Sequence, residues 1–136
     1  MEGKVLTGKR KRAIARANVK PGKGIIRVNS MLLENLRPVY FREKIKLPLR
    51  IASGVVDLGK IDINVVSEGG GVMGQADAIA SSIARGLVEY TKSDELHDTI
   101  VKYDRTLIAG DHRMTEVHKP GQSSKGPRHK RQKSYR

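Results

Sequence analysis

The sequence predicts an α+β domain in which strands form a sheet, at least one long helix lies on that sheet, and a cationic C-terminal extension follows with no core of its own. Three observations predict it. Val72, Ala76, Ile79, Ile83, Leu87 and Tyr90 recur at spacings of three and four, the period of a helix with one apolar stripe. Residues 13–19 and 60–67 place Ala13, Ala15, Ala17 and Val19, and Ile61, Ile63 and Val65, at every second position, the period of a half-buried strand. From Arg113 onward the apolar pattern stops.

Taken in chain order, Lys4 to Thr7 reads as a short strand, and after Gly8 the run Lys9-Arg10-Lys11-Arg12 leads straight into Ala13 to Val19. Read as one strand, this piece puts Ala13, Ala15, Ala17 and Val19 on one face. Arg10, Arg12, Ile14, Arg16 and Asn18 take the other, so that small residues are buried and arginines stand in a row able to grip phosphates. A nuclear-import signal or solvated lysines are competing readings of residues 9–12. Pro21-Gly22-Lys23-Gly24 is turn chemistry, and with Ile25 to Val28 as the next strand it predicts a hairpin. Asn29-Ser30 is a second turn, followed by a brief extended piece, Met31 to Leu33.

Val39, Phe41, Ile45, Leu49 and Ala52 predict a helix starting near Pro38, with Pro48 either bending it or ending its first part. Lys60 to Ser67 is the clearest strand, with Ile61, Ile63 and Val65 on one face. It delivers the glycine-rich segment Gly69 to Gly74, and the long helix follows, kept slim by alanines and serines so that it can approach the small residues of the sheet closely. Asp77, Ser81, Ser82, Arg85 and Glu89 fall mostly off its stripe, which predicts a second side facing solvent or a partner. Ser93 or Asp94 caps a shorter helix through Leu96, Ile100 and Val101, and Leu107-Ile108-Ala109 is the last apolar patch.

Composition narrows the function. The chain has 136 residues, one Phe, four Tyr and no Trp, enough for one core of Ile, Leu, Val and Ala but not for a deep substrate cavity. No cysteine is present, which removes disulfides, thiolate catalysis and cysteine zinc sites and fits a reducing compartment. No apolar run approaches a bilayer span, and the N-terminus lacks the apolar segment of a signal peptide, so no membrane role is expected. Charge is segregated: residues 1–27 carry nine Lys/Arg and one acid, residues 28–112 ten and twelve, and residues 113–136 eight and one. A balanced body with cationic ends suits a dense polyanion, RNA or DNA. The tail from His118 has nothing to bury and is expected to take its order from such a partner, with strong salt dependence.

Enzymatic readings fail on context. Gly69-x-Gly71-x-x-Gly74 after a strand fits the dinucleotide fingerprint formally, yet Asp94 opens another helical segment instead of ending a second parallel strand, and no Walker lysine follows. His97, His112, His118 and His129 lack metal spacing, and Asp111-His112 has no nucleophile elbow beside it, so neither a metal, a cofactor nor catalysis is expected. Asp111 and Glu116 are instead expected to pair with Arg105 or Arg113 where the tail leaves the body.

Three blocks stand out together: Gly-Lys-Arg-Lys-Arg-Ala-Ile-Ala-Arg-Ala near the start, Gly69 to Leu87 in the middle, and Asp111-x-Arg113-x-x-Glu116 leading to Gln132-Lys133-Ser134-Tyr135-Arg136. On these the chain resembles the family of the ninth small-subunit ribosomal protein, in its archaeal form, over nearly its whole length. The resemblance implies a two-layer α/β sandwich like domain two of ribosomal protein five, with a mixed four-stranded sheet and helices packed on it. It implies a globular RNA-binding domain over 1–112, an extended basic tail over 113–136, and a place in the head of the cytoplasmic small subunit beside neighbouring head proteins, not as a homo-oligomer. On this reading ribosomal RNA is held by Lys9, Arg10, Lys11, Arg12, Arg16, Lys20, Lys23, Arg113, Lys119, Lys125, Arg128 and Lys130. The tail tip, Arg131, Lys133, Ser134, Tyr135 and Arg136, meets the peptidyl-site transfer RNA, with Arg136 on its phosphate backbone.

Overall fold

In a computed structural model of the chain, residues 4–118 and 127 are described. Strands β1 (Val5–Arg10), β2 (Ala13–Pro21), β3 (Ile26–Val28), β4 (Met31–Leu32) and β5 (Ile61–Glu68) form one mixed sheet in the order β1-β2-β5-β3-β4. Helices α1 (Val39–Ala52), α2 (Val72–Thr91), α3 (Asp94–Tyr103) and α4 (Thr106–Ala109) form the second layer. The two-layer α+β expectation therefore holds, with five strands instead of four, the extra one being the two-residue β4.

Strand parity builds the interface between the layers. Ala13, Ala15 and Ala17 of β2 have no exposed surface, and Ile61, Ile63 and Val65 of β5 are buried beside them. Against this floor lies α2, whose Ala76, Ile79, Ile83 and Leu87 are fully buried, while Val72 and Tyr90, at the two ends of the expected stripe, stay exposed. The layers touch backbone to backbone at one point and backbone to side chain at another. A Cβ at Gly8 of β1 would stand 2.1 Å from the Ala78 carbonyl oxygen, and one at Gly86 of α2 would stand 2.8 Å from a methyl of Val19. Alanine and glycine on both partners are what permit this approach, and each buried isoleucine or leucine then contributes about 1.5–3 kcal/mol.

Two expectations are corrected. The β2–β3 hairpin does not form: β5 inserts between the two strands, antiparallel to β2 and parallel to β3. The Pro-Gly-Lys-Gly segment carries the chain across the start of β5 instead of folding it back, and Asp62 of β5 accepts the amides of Lys23 (2.8 Å) and Ile25 (2.9 Å). The strand with the most continuous apolar face thereby takes the centre of the sheet. Nor does α2 present a polar side to solvent along its middle: Ser81 and Ser82 are buried, Ser81 Oγ donating to the Leu107 carbonyl of α4 (2.9 Å) and Ser82 Oγ to the Ile79 carbonyl (2.8 Å).

The remaining elements follow their local chemistry. α1 runs through Pro48, which is buried with Phe41, Ile45 and Leu49, so the proline neither stops the helix nor leaves the core. Asn29 and Ser30 take the left-handed conformation (φ 48° and 70°) and turn β3 into β4. Ser93 caps α3 by accepting the Leu96 amide.

Candidate nucleic-acid interface

Among the described residues no helix covers the other face of the sheet, and strand alternation decides what stands on it. Register aligns Thr7, Arg16 and Val66 across β1, β2 and β5, then Lys9, Ile14 and Glu68, then Val5, Asn18, Asn64 and Arg27. Lys20 stands opposite Asp62. Lys9, Arg16, Lys20 and Arg27 are exposed and make no ion pair with any described residue. Arg16 and Lys20 are four residues apart on one strand, about 13 Å at 3.3 Å per residue. The face thus offers a spaced set of free cations interleaved with amides and aliphatic side chains. Asp62 and Glu68 are its acids, and Asp62 is held below the usual carboxylate range by the amides of Ile25 and Lys23 that it accepts.

At one end of this face, Lys11 and Arg12 form the β1–β2 turn, Lys11 in the left-handed region (φ 53°). The glycine segment packs directly beneath it. A Cβ at Gly69 would come within 2.9 Å of the Arg12 carbonyl oxygen, and one at Gly70 within 2.8 Å of the Ala13 nitrogen, both residues having φ near 70°. Close approach to the basic turn accounts for these glycines without any nucleotide. α2 opens at Gly71 with no side-chain cap, so the positive end of a 20-residue helix lies beside Lys11 and Arg12 in a shallow concavity also lined by Met114 and Val117.

Arg10 departs from the expected row. The two-residue turn at Lys11-Arg12 separates it from β2, and on β1 it shares a face with Gly8, toward the helices, with its side chain 17% exposed. There it reaches Asp77 (3.7 Å) and Asp111 (3.4 Å), and donates to the Arg113 carbonyl (2.8 Å). Asp111 pairs with Arg113 as expected, the guanidinium closing on both carboxylate oxygens at 2.6–3.0 Å. This fork, and the Arg113 amide, hold the Asp111 carboxyl far below the ordinary range.

Of the residues expected to hold RNA, Lys9, Arg16 and Lys20 share the open face, Lys11 and Arg12 form its turn, and Lys23 lies in the loop capped by Asp62. Arg113 stands at the exit of the tail. Lys119, Lys125, Arg128, Lys130, Arg131, Lys133, Ser134, Tyr135 and Arg136 lie outside the described residues. Sequence reading missed Arg27; the alternation of Ile26, Arg27 and Val28 carried the signal, but three residues are too short to fix a face without knowing the neighbouring strand. Among the described residues no group of His, Asp or Glu is arranged to hold a metal, and no helix is long and apolar enough to cross a membrane.

Known proteins match the chain along nearly all of it. Residues 8–136 fit the model of a family described as Ribosomal protein S9/S16. The chain is 46% identical over 129 residues to the Small ribosomal subunit protein uS9 of Methanococcus maripaludis strain C7, covering 95% of both chains. It is likewise 46% identical over 129 residues, with the same coverage, to the protein of that name from Methanococcus vannielii.

Proposed function

The chain belongs to the ribosomal protein S9/S16 family, and from that premise we propose that it is a structural, non-enzymatic component of the small ribosomal subunit that holds ribosomal RNA with its open sheet face and basic turn and reaches the peptidyl-site transfer RNA with its tail. It works in the cytoplasm, as part of the ribosome, as a single copy among neighbouring head proteins. The observation that carries this reading is the set of cations on a sheet face that, among the described residues, have no ion partner and no helix over them, in a chain whose C-terminal residues are also cationic.

Each part of the reading has a physical basis. A rigid sheet fixes the spacing of these lysines and arginines in advance, so their backbone loses little freedom when phosphates bind and only the side chains give up rotamer freedom. Guanidinium and ammonium groups grip phosphate without reading sequence, which suits a protein that meets one folded RNA by shape and charge. Fixing the tail costs about 1–2 kcal/mol per residue, offset only by many contacts along an extended anionic surface. At its tip, Arg136 would fork onto phosphate, with Lys133 and Arg131 adding charge and Tyr135 a ring able to stack on a base or ribose.

The test separates body from tip. Small subunits carrying the chain without residues 134–136 are expected to sediment with the protein in place, yet bind peptidyl-site transfer RNA more weakly. Undiminished transfer RNA binding would remove the assigned role of the tip, and absence of the full-length protein from small subunits on a sucrose gradient would remove the whole reading.

A further inference from the structure

All cations of residues 9–12 except Arg10 face outward, and what Arg10 grips is the root of the tail. Its backbone makes a parallel β-bridge with Asp111, its Nη1 donates to the Arg113 carbonyl at 2.8 Å, and its guanidinium lies between Asp111 and Asp77. Asp77 is fixed in turn by Lys44 of α1 at 2.6 Å. Just upstream, Arg85 of α2 donates to the Ile108 carbonyl (2.7 Å) and to the Thr7 carbonyl of β1 (2.8 Å), tying the end of α4 to the same strand. Gly110, at φ 83°, makes the bend between the two clamps. The chain is therefore held at residues 108, 111 and 113 by two arginines from different elements, immediately before the cationic segment begins.

We propose that Arg10 is a positioning residue that, with Asp77 and Asp111, fixes the direction in which the tail leaves the body. The inference rests on the functional reading above, in which the tail must arrive at a distant anionic site. A random coil of 23 residues, the number that follow Arg113, would have a root-mean-square reach of about 26 Å, so the orientation at its root would decide which volume such a coil searches. If freeing the root leaves about a tenth to a third of its orientations productive, apparent affinity at the tip falls about three- to tenfold with the chemistry of the tip itself unchanged. An arginine suits the post because its five N–H donors leave one planar group in fixed, spread directions toward two carboxylates and a carbonyl, whereas the three donors of lysine radiate from a single point.

The absence of cysteine makes the geometry measurable in the full chain. Spin labels attached through Lys102→Cys on α3 and Val117→Cys report the distance from body to tail root. A narrow distribution is expected in the parent chain, a broad one in Arg10→Gln and in Asp111→Asn, and an intermediate one in Arg10→Lys, with amide exchange of α2 unchanged throughout. Small subunits containing Arg10→Gln should bind peptidyl-site transfer RNA about three- to tenfold more weakly. An unchanged distribution in both Arg10→Gln and Asp111→Asn overturns the proposal. So does a broadened distribution with undiminished transfer RNA binding, provided deletion of residues 134–136 still weakens that binding. If the deletion has no effect, the role of the tip falls and the distance distributions alone decide the proposal.

Discussion

Successive residues of β2 face two different environments. Ala13, Ala15 and Ala17 meet α2 with no exposed surface and leave no room for a larger side chain, while Arg16 and Lys20, on the alternate positions, are exposed and make no ion pair with any described residue. The covered face is governed by packing density, where one added methylene is felt. The open face is governed by long-range electrostatics, where a side chain matters only through what it attracts. One nine-residue strand thus carries structural and binding information in alternate positions, and the two sets should respond independently to mutation.

The largest effect is expected where the layers touch by backbone. Gly8→Val adds a branched side chain whose Cβ alone would stand 2.1 Å from the Ala78 carbonyl. It should destabilise by about 4 kcal/mol or more, and urea denaturation should find the full chain largely unfolded in buffer. Next, Ala15→Leu overfills the floor beneath α2 and should cost about 1–3 kcal/mol as a lower urea midpoint at unchanged slope. If Ala15→Leu were neutral, the contrast between the faces would be wrong.

The open face should behave oppositely. Replacing Arg16, Lys20 and Arg27 together by glutamine should leave the urea midpoint within about 0.5 kcal/mol of the parent, because none has an ion partner among the described residues. Binding to small-subunit RNA should weaken, and the slope of log affinity against log salt should fall by about 2 to 3, close to one for each phosphate that no longer meets a cation. A lower midpoint with unchanged salt slope would assign these residues to the fold.

The smallest effect concerns the acid that works for the fold from the open side. Amides of Ile25 and Lys23 lower the Asp62 carboxyl below its ordinary value, so its contribution to stability is present above the unfolded value of about 3.9 and fades as pH falls through the lower folded value. Thermal unfolding followed from pH 6 to pH 2 should show a shallower acid decline in Asp62→Asn than in the parent. An identical decline would mean that the capped β2–β3 loop adds nothing to stability.

Much of this was legible in the sequence because it depends on local period. The stripe of α2 and the alternation of β2 and β5 follow from 3.6- and two-residue repeats, and the paired smallness of Ala13–Ala17 and Ala76–Ala84 anticipated their close approach. What failed was non-local. Nothing within residues 13–28 says that a strand from residue 61 onward will part β2 from β3, and nothing in Ser81 or Ser82 tells a solvent face from one covered by α4. Hydroxyls small enough to satisfy themselves on a nearby carbonyl fit either environment.

The sequence by itself determined how many cations the N-terminal strands carry and which alternate together, because charge and parity are properties of residue order. Only the tertiary structure decided which of them are free. A turn of two residues at Lys11-Arg12 moves Arg10 to the covered side of β1, where carboxylates from α2 and from the segment after α4 meet it. Those carboxylates lie 67 and 101 positions away along the chain, so no local pattern could have distinguished Arg10, which turns onto the root of the tail, from Lys9, which faces outward.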